Sequence, residues 1–125
     1  MLVFVGAKDP SKALSPEDLR LIFQARKKTW PDGRTAIPFN LPHDHRTRHI
    51  FDHAVLGLNP DSVAGYWIDR RVRGGERPPR VVPTPSMMVR IVAALRGSVG
   101  YASPAAIDSS VKVIAKIVDG KVIAP

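Results

Sequence analysis

A chain of 125 residues, 44% hydrophobic and 24% charged, is long enough to bury one hydrophobic core and has the composition of a globular domain rather than a disordered one. The absence of cysteine excludes disulfides, thiolate metal sites and a cysteine nucleophile, and no apolar run approaches the length that crosses a bilayer. Lys and Arg outnumber Asp and Glu by 19 to 11, and the net charge of +8 favours anionic partners: nucleic acid, acidic lipid, phosphate or an acidic protein.

The apolar run Leu2 to Val5 directly after Met1 reads as a buried strand ending in Gly6, not as a secretory leader. A polar loop, Lys8 to Lys12, leads to Ser15-Pro16-Glu17-Asp18, a helix start. Ser15 can cap, Pro16 suits the first turn, and both acids sit where the helix dipole favours them. Leu19, Ile22 and Phe23 share a face, and Lys27 and Lys28 are expected to close the helix. Trp30-Pro31-Asp32-Gly33 is a turn. A short strand is expected from Thr35 to Leu41, with Pro38 placing it at an edge or an irregularity.

A second helix is expected from about Asp44 to Leu56, with Ile50, Phe51 and Val55 inward and Gly57 as its stop. Asn59-Pro60-Asp61 starts a third, carrying Val63, Tyr66 and Trp67. From Asp69 to Pro85 the helical pattern breaks. Arg70, Arg71, Arg73, Arg77 and Arg80 crowd around Gly74-Gly75 and Pro78-Pro79 and read as a basic loop. Thr84-Pro85-Ser86 opens a fourth helix with Val89, Ile91, Val92 and Leu95, ending at Gly97. Ser98 to Ala102 reads as a strand, and Val111 to Ile123 as a hairpin turning at Asp119-Gly120. Without internal repeats or a linker, residues 1–125 read as one α/β domain: a three-layer sandwich in which about four helices flank a mixed sheet.

Three constellations bear on function. His43, His45, His49 and His53 lie within eleven residues. On a continuous helix His45, His49 and His53 fall at i, i+4 and i+8 on one face, where imidazoles a turn apart can hold Zn²⁺, Ni²⁺ or Cu²⁺, with Asp44 or Asp52 adding a carboxylate. The competing reading is a solvated polar face, favoured by Arg46 and Arg48, which repel a cation. The start of the same helix is an anion-binding candidate, with free amides, the Thr47 hydroxyl and the Arg46 and Arg48 guanidiniums; the bland alternative is a capping threonine with two solvated arginines. The arginine segment can track nucleic-acid phosphates or dock an acidic protein, but it lacks the interleaved aromatics that stack bases, and a solvated basic loop is the favoured reading. No nucleophile elbow, close acid pair or phosphate-cradling glycine loop is present, and the chain reads as non-enzymatic, with no cofactor called for.

Several blocks, in order and spacing, resemble the phosphate-binding proteins of ABC transporters and their shorter relatives. They are Leu21 to Phe23 followed by Trp30-Pro31-Asp32-Gly33-Arg34; Arg48-His49-Ile50-Phe51 leading to Val55-Leu56-Gly57; Tyr66-Trp67; Gly74 to Pro79; and Ala94 to Ala102. The resemblance implies one lobe of a type II periplasmic binding protein, an extracytoplasmic location and an oxyanion ligand. A full protein of that kind traps its ligand between two lobes, and this chain has length for about one. The family's Ser-Gly-Thr-Arg segment corresponds to His45-Arg46-Thr47-Arg48, where Thr47 and Arg48 match and the Ser and Gly do not. If the helix starts converge as in that fold, Ser86 joins the anion site. The expectations are weak phosphate or oxyanion binding through Arg46, Thr47, Arg48 and Ser86, or an interaction domain that has lost the ligand. A homodimer would complete the cleft.

Overall fold

The structure is a computed structural model describing residues 1–125. Six strands form one mixed sheet: β1 (Leu2–Gly6), β2 (Ile37–Asn40), β3 (Arg80–Val81), β4 (Ser98–Ala102), β5 (Val111–Val118) and β6 (Lys121–Ile123), in the spatial order β3-β2-β4-β1-β5-β6. β2, β3 and β4 are mutually parallel, β1 runs antiparallel between β4 and β5, and β6 folds back on β5. The closing turn has both Asp119 (φ 51°) and Gly120 (φ 74°) in the left-handed region, the geometry that lets a two-residue hairpin follow the sheet twist.

Four α-helices, α1 (Pro16–Phe23), α2 (Arg46–Phe51), α3 (Pro60–Gly74) and α4 (Pro85–Ala94), cover the sheet. Two consecutive residues of β4 show the layering, because neighbouring side chains of a strand point to opposite faces. On one face, a Cβ at Gly100 would lie 2.6 Å from Met88 Sδ and 2.9 Å from Val92 Cγ2, so α4 packs on bare backbone there. On the other face the Tyr101 ring stacks on Phe51 of α2 at 3.8 Å and meets Phe23 of α1 edge-on at 6.2 Å. α3 leans on the end of α1, where the Tyr66 hydroxyl donates to the Gln24 carbonyl.

The amino ends of the parallel strands are tied by Asp9. Its carboxylate accepts from Arg34 Nη1 at 3.1 Å to both oxygens, from the Ser11 amide at 2.8 Å and from the Gly97 amide at 3.2 Å. Trp30, buried, donates its indole N–H to the Gly97 carbonyl at 2.8 Å. Burial on its own raises the Asp9 carboxyl, but hydrogen bonds from Ser11 and Arg34 outweigh it and hold the pKa at about 2.

Several expectations are corrected. α1 ends at Phe23, because Ala25 turns left-handed (φ 58°), and Lys27 and Lys28 lie beyond it, paired with Asp18 and Glu76. β2 is interior, yet Pro38 is tolerated: it pairs only with β4, and β3 begins opposite Phe39. The second helix starts at Arg46 rather than Asp44, and from Asp52 to Leu56 it widens into a π-helical turn that Gly57 (φ 68°) ends. Ile50 points outward and is 44% exposed. α3 runs through Gly74, so Arg70, Arg71 and Arg73 are helical. Arg77 lies in the following loop and Arg80 in β3. Arginine is a good helix former, an i,i+4 pair between Arg73 and Asp69 (2.8 Å) supports the last turns, and Gly75 (φ 68°) caps them.

Candidate functional site

In a sheet wound both ways, ligands meet the carboxyl ends of parallel strands at the point where the chain reverses direction. Here β2 leads out to β3 and the chain returns past it to β4, so that point lies between β2 and β4. α2 follows β2 and α4 follows β3, and both therefore begin at this carboxyl edge. Their first turns carry no acid, whereas those of α1 and α3 hold Glu17, Asp18 and Asp61.

Beneath that edge lies a buried polar network. The Tyr101 hydroxyl donates to Asn40 Oδ1 at 2.5 Å and accepts from the Leu41 amide at 3.2 Å. Burial pushes the Tyr101 phenol well above its ordinary range. Arg48 Nη1 donates to the Leu41 carbonyl at 3.1 Å, and Arg48 Nε pairs with Asp52 Oδ2 at 3.2 Å. Asp52 Oδ1 is buried with no hydrogen-bond partner, and burial raises this carboxyl despite the opposing guanidinium.

The four anion-site candidates are thus unequal. Arg48 is directed inward and engaged at both ends. Thr47 is buried, and its amide donates to His45 Nδ1 at 3.1 Å, so an imidazole performs the capping role usual for a serine or aspartate. Arg46 is exposed, and the Arg46 and Arg48 amides have no acceptor within the protein. Ser86 is exposed one residue past Pro85 at the start of α4, whose cap is Thr84 through the Met87 amide at 3.2 Å. Asp52, which the sequence offers as a carboxylate for a metal, is instead the partner that orients Arg48, four residues before it.

The histidines are brought together less than their spacing promised. His45 caps, His49 Nε2 lies 2.6 Å from the His43 carbonyl, and His53 sits beside Gly120 at the β5–β6 turn. The π-turn from Asp52 changes the angular step between His49 and His53. No three His, Asp or Glu side chains converge to hold a metal ion. The arginines also diverge: Arg70 reaches the Ala25 carbonyl (3.4 Å), Arg73 pairs with Asp69, and Arg71, Arg77 and Arg80 are exposed on three different segments.

No protein-family profile and no curated protein matches the sequence. Solved structures share its fold. A putative phosphate ABC transporter substrate-binding protein from Clostridium perfringens, with bound phosphate, superposes with a TM-score of 0.74 over 96% of this chain at 17% identity. An ABC-type phosphate transport receptor from Vibrio cholerae gives 0.67 over 90% at 22%, and PstS from Borrelia burgdorferi gives 0.69 over 90% at 11%. The chain spans 44–45% of the length of those proteins. It has the α/β fold of one lobe of the phosphate-transport receptors, at less than half their length.

Proposed function

We propose that this chain is a non-enzymatic, single-lobe binding module that takes phosphate or a related oxyanion at the carboxyl edge of its parallel strands, in an extracytoplasmic setting. The observation that carries the reading is the pair of acid-free helix starts, α2 and α4, placed at the one edge where such sheets meet ligands. The amides of Arg46 and Arg48, the Arg46 guanidinium and the Ser86 hydroxyl are the groups that would meet the anion. Arg48 acts as a positioning residue, holding α2 against the ends of β2 and β4 through Leu41 and Asp52. Thr47 contributes through its place in the first turn, since its amide is already engaged by His45.

One lobe covers only one side of a ligand, so residues 1–125 by themselves should bind weakly, and a second lobe or a second copy that closes the cleft should raise the affinity. Thermal unfolding with increasing phosphate or sulfate tests the reading. Ligand tenfold above its dissociation constant adds about 1.4 kcal/mol. The expected result is a rise in Tm with oxyanion and none with chloride at matched ionic strength, reduced by Arg46→Ala. A flat response across the oxyanions favours the second reading, an interaction domain. That reading draws support from Ile68 and Val72, one turn apart on α3 and 66% and 81% exposed.

A further inference from the structure

At the opposite end of the sheet from the oxyanion edge, the amino ends of β2 and β3 frame an open groove of about 380 Å³. It exists because β3 is only two residues long. β3 pairs with Phe39 and Asn40, and the segment from Gly75 to Arg80 runs in beside Ala36 to Pro38 without laddering to them. The floor is apolar: Ile22, Ala36, Ile37, Pro38 and Pro79. It also offers no free backbone donor. The Ala36 amide donates to the Lys28 carbonyl, the Ile37 amide to the Gly97 carbonyl on the far side, and Pro38 has none. An added β-strand would find no ladder there.

Polar recognition must therefore come from the rim, which is cationic. Lys27 is paired with Asp18 at 3.0 Å and Lys28 with Glu76 at 2.9 Å, while Arg77 and Arg80 are exposed and have no carboxylate partner. Behind the wall, Arg70 Nε is buried without a hydrogen-bond partner. An apolar floor of this size under unpaired guanidiniums matches a ligand with an apolar body and a single anionic head. From this complementarity we infer that the groove between the end of α1 and the Gly75–Arg80 segment is a second binding site, for a small amphiphilic carboxylate whose chain or ring lies on Ile22, Ile37 and Pro79 and whose head meets Arg77 and Arg80.

The test is amide NMR on the full chain, titrated with hexanoate, 1-hexanol and inorganic phosphate. Hexanoate should shift the amides of Ala25, Ala36 and Ile37, with affinity falling as salt is raised. Hexanol, lacking the charge, should bind about tenfold more weakly, and phosphate, lacking the apolar body, should leave these amides unmoved. The Arg77→Ala/Arg80→Ala variant removes two exposed side chains without breaking an ion pair, and should lower hexanoate affinity by about tenfold. The proposal is overturned if hexanol binds as well as hexanoate, if phosphate moves the same amides as strongly, or if hexanoate shifts appear only near Arg46 and Ser86. The oxyanion reading is scored separately, on the amides of Arg46, Arg48 and Ser86.

Discussion

Arg48 Nε lies 3.2 Å from Asp52 Oδ2, one helical turn on, with the two side chains 8% and 6% exposed. The pair joins α2 to the π-turn, and the same guanidinium reaches the Leu41 carbonyl at the end of β2. An arginine that the sequence offers to an external anion is thus bound by the protein's own carboxylate.

Arg48→Ala leaves Asp52 buried without a counter-charge and should destabilise the fold by roughly 3–5 kcal/mol, measured by urea denaturation. Replacing both partners, Arg48→Met with Asp52→Leu, should recover most of that loss. The sign with pH follows from the raised Asp52 carboxyl. Arg48 opposes that rise, so without it the native state holds the Asp52 proton more tightly still, and the deficit of the single variant should shrink as pH falls. A double variant as unstable as the single one would show that the guanidinium matters through Leu41 and not through Asp52.

Asp9 has the opposite sign. Its native pKa of about 2 lies below the ordinary 3.8, so its contribution is complete above 3.8 and is lost as pH falls toward 2. The shift corresponds to about 2 kcal/mol. Asp9→Asn should lower stability at neutral pH by at least that amount and flatten the acid limb of the stability–pH curve. An unchanged acid limb in the variant would mean that other carboxylates set it.

His45 caps α2 through Nδ1, which must accept, so its proton belongs on Nε2. His45→Ala should cost about 1 kcal/mol and His45→Ser should restore it, because a hydroxyl can accept the same Thr47 amide. Nitrogen-15 NMR of the ring checks the tautomer independently.

Two glycines separate strain from crowding. At Gly97 (φ 84°) a Cβ would stand 2.4 Å from the Thr35 carbonyl oxygen, which is backbone and cannot yield cheaply. At Gly100 the obstacles are the side chains of Met88 and Val92. Gly100→Ala should cost about 1–3 kcal/mol and Gly97→Ala more, by thermal unfolding. The reverse order would place the tighter packing under α4.

Much of the architecture was legible in sequence because local signals and tertiary structure agree: the Ser15 and Thr84 caps, the Asp119-Gly120 turn and the Val89/Val92 face. Where they disagree, the reading failed for identifiable reasons. Ile68 and Val72 are exposed, so α3 lacks the apolar periodicity that marks a helix, and its arginine-rich end looked like a loop. The phase break at Asp52 leaves no mark in composition, and it undid the i, i+4, i+8 inference for the histidines. At the candidate site the residue types can be read from the sequence, but a sequence cannot say whether an arginine faces out or in. Only the fold shows that Arg46 faces solvent while Arg48 is a strut.

The sheet's two borders are a dipeptide and a tripeptide. β3 presents Arg80 and is followed two residues on by Pro83, while β6 presents Lys121 and is followed two residues on by Pro125. Brevity, cationic side chains and proline all discourage an alien chain from extending a ladder. A protein so bounded is guarded against fibrous self-assembly at both margins, and any partner it recruits must be held by side chains and helix ends rather than by borrowed backbone.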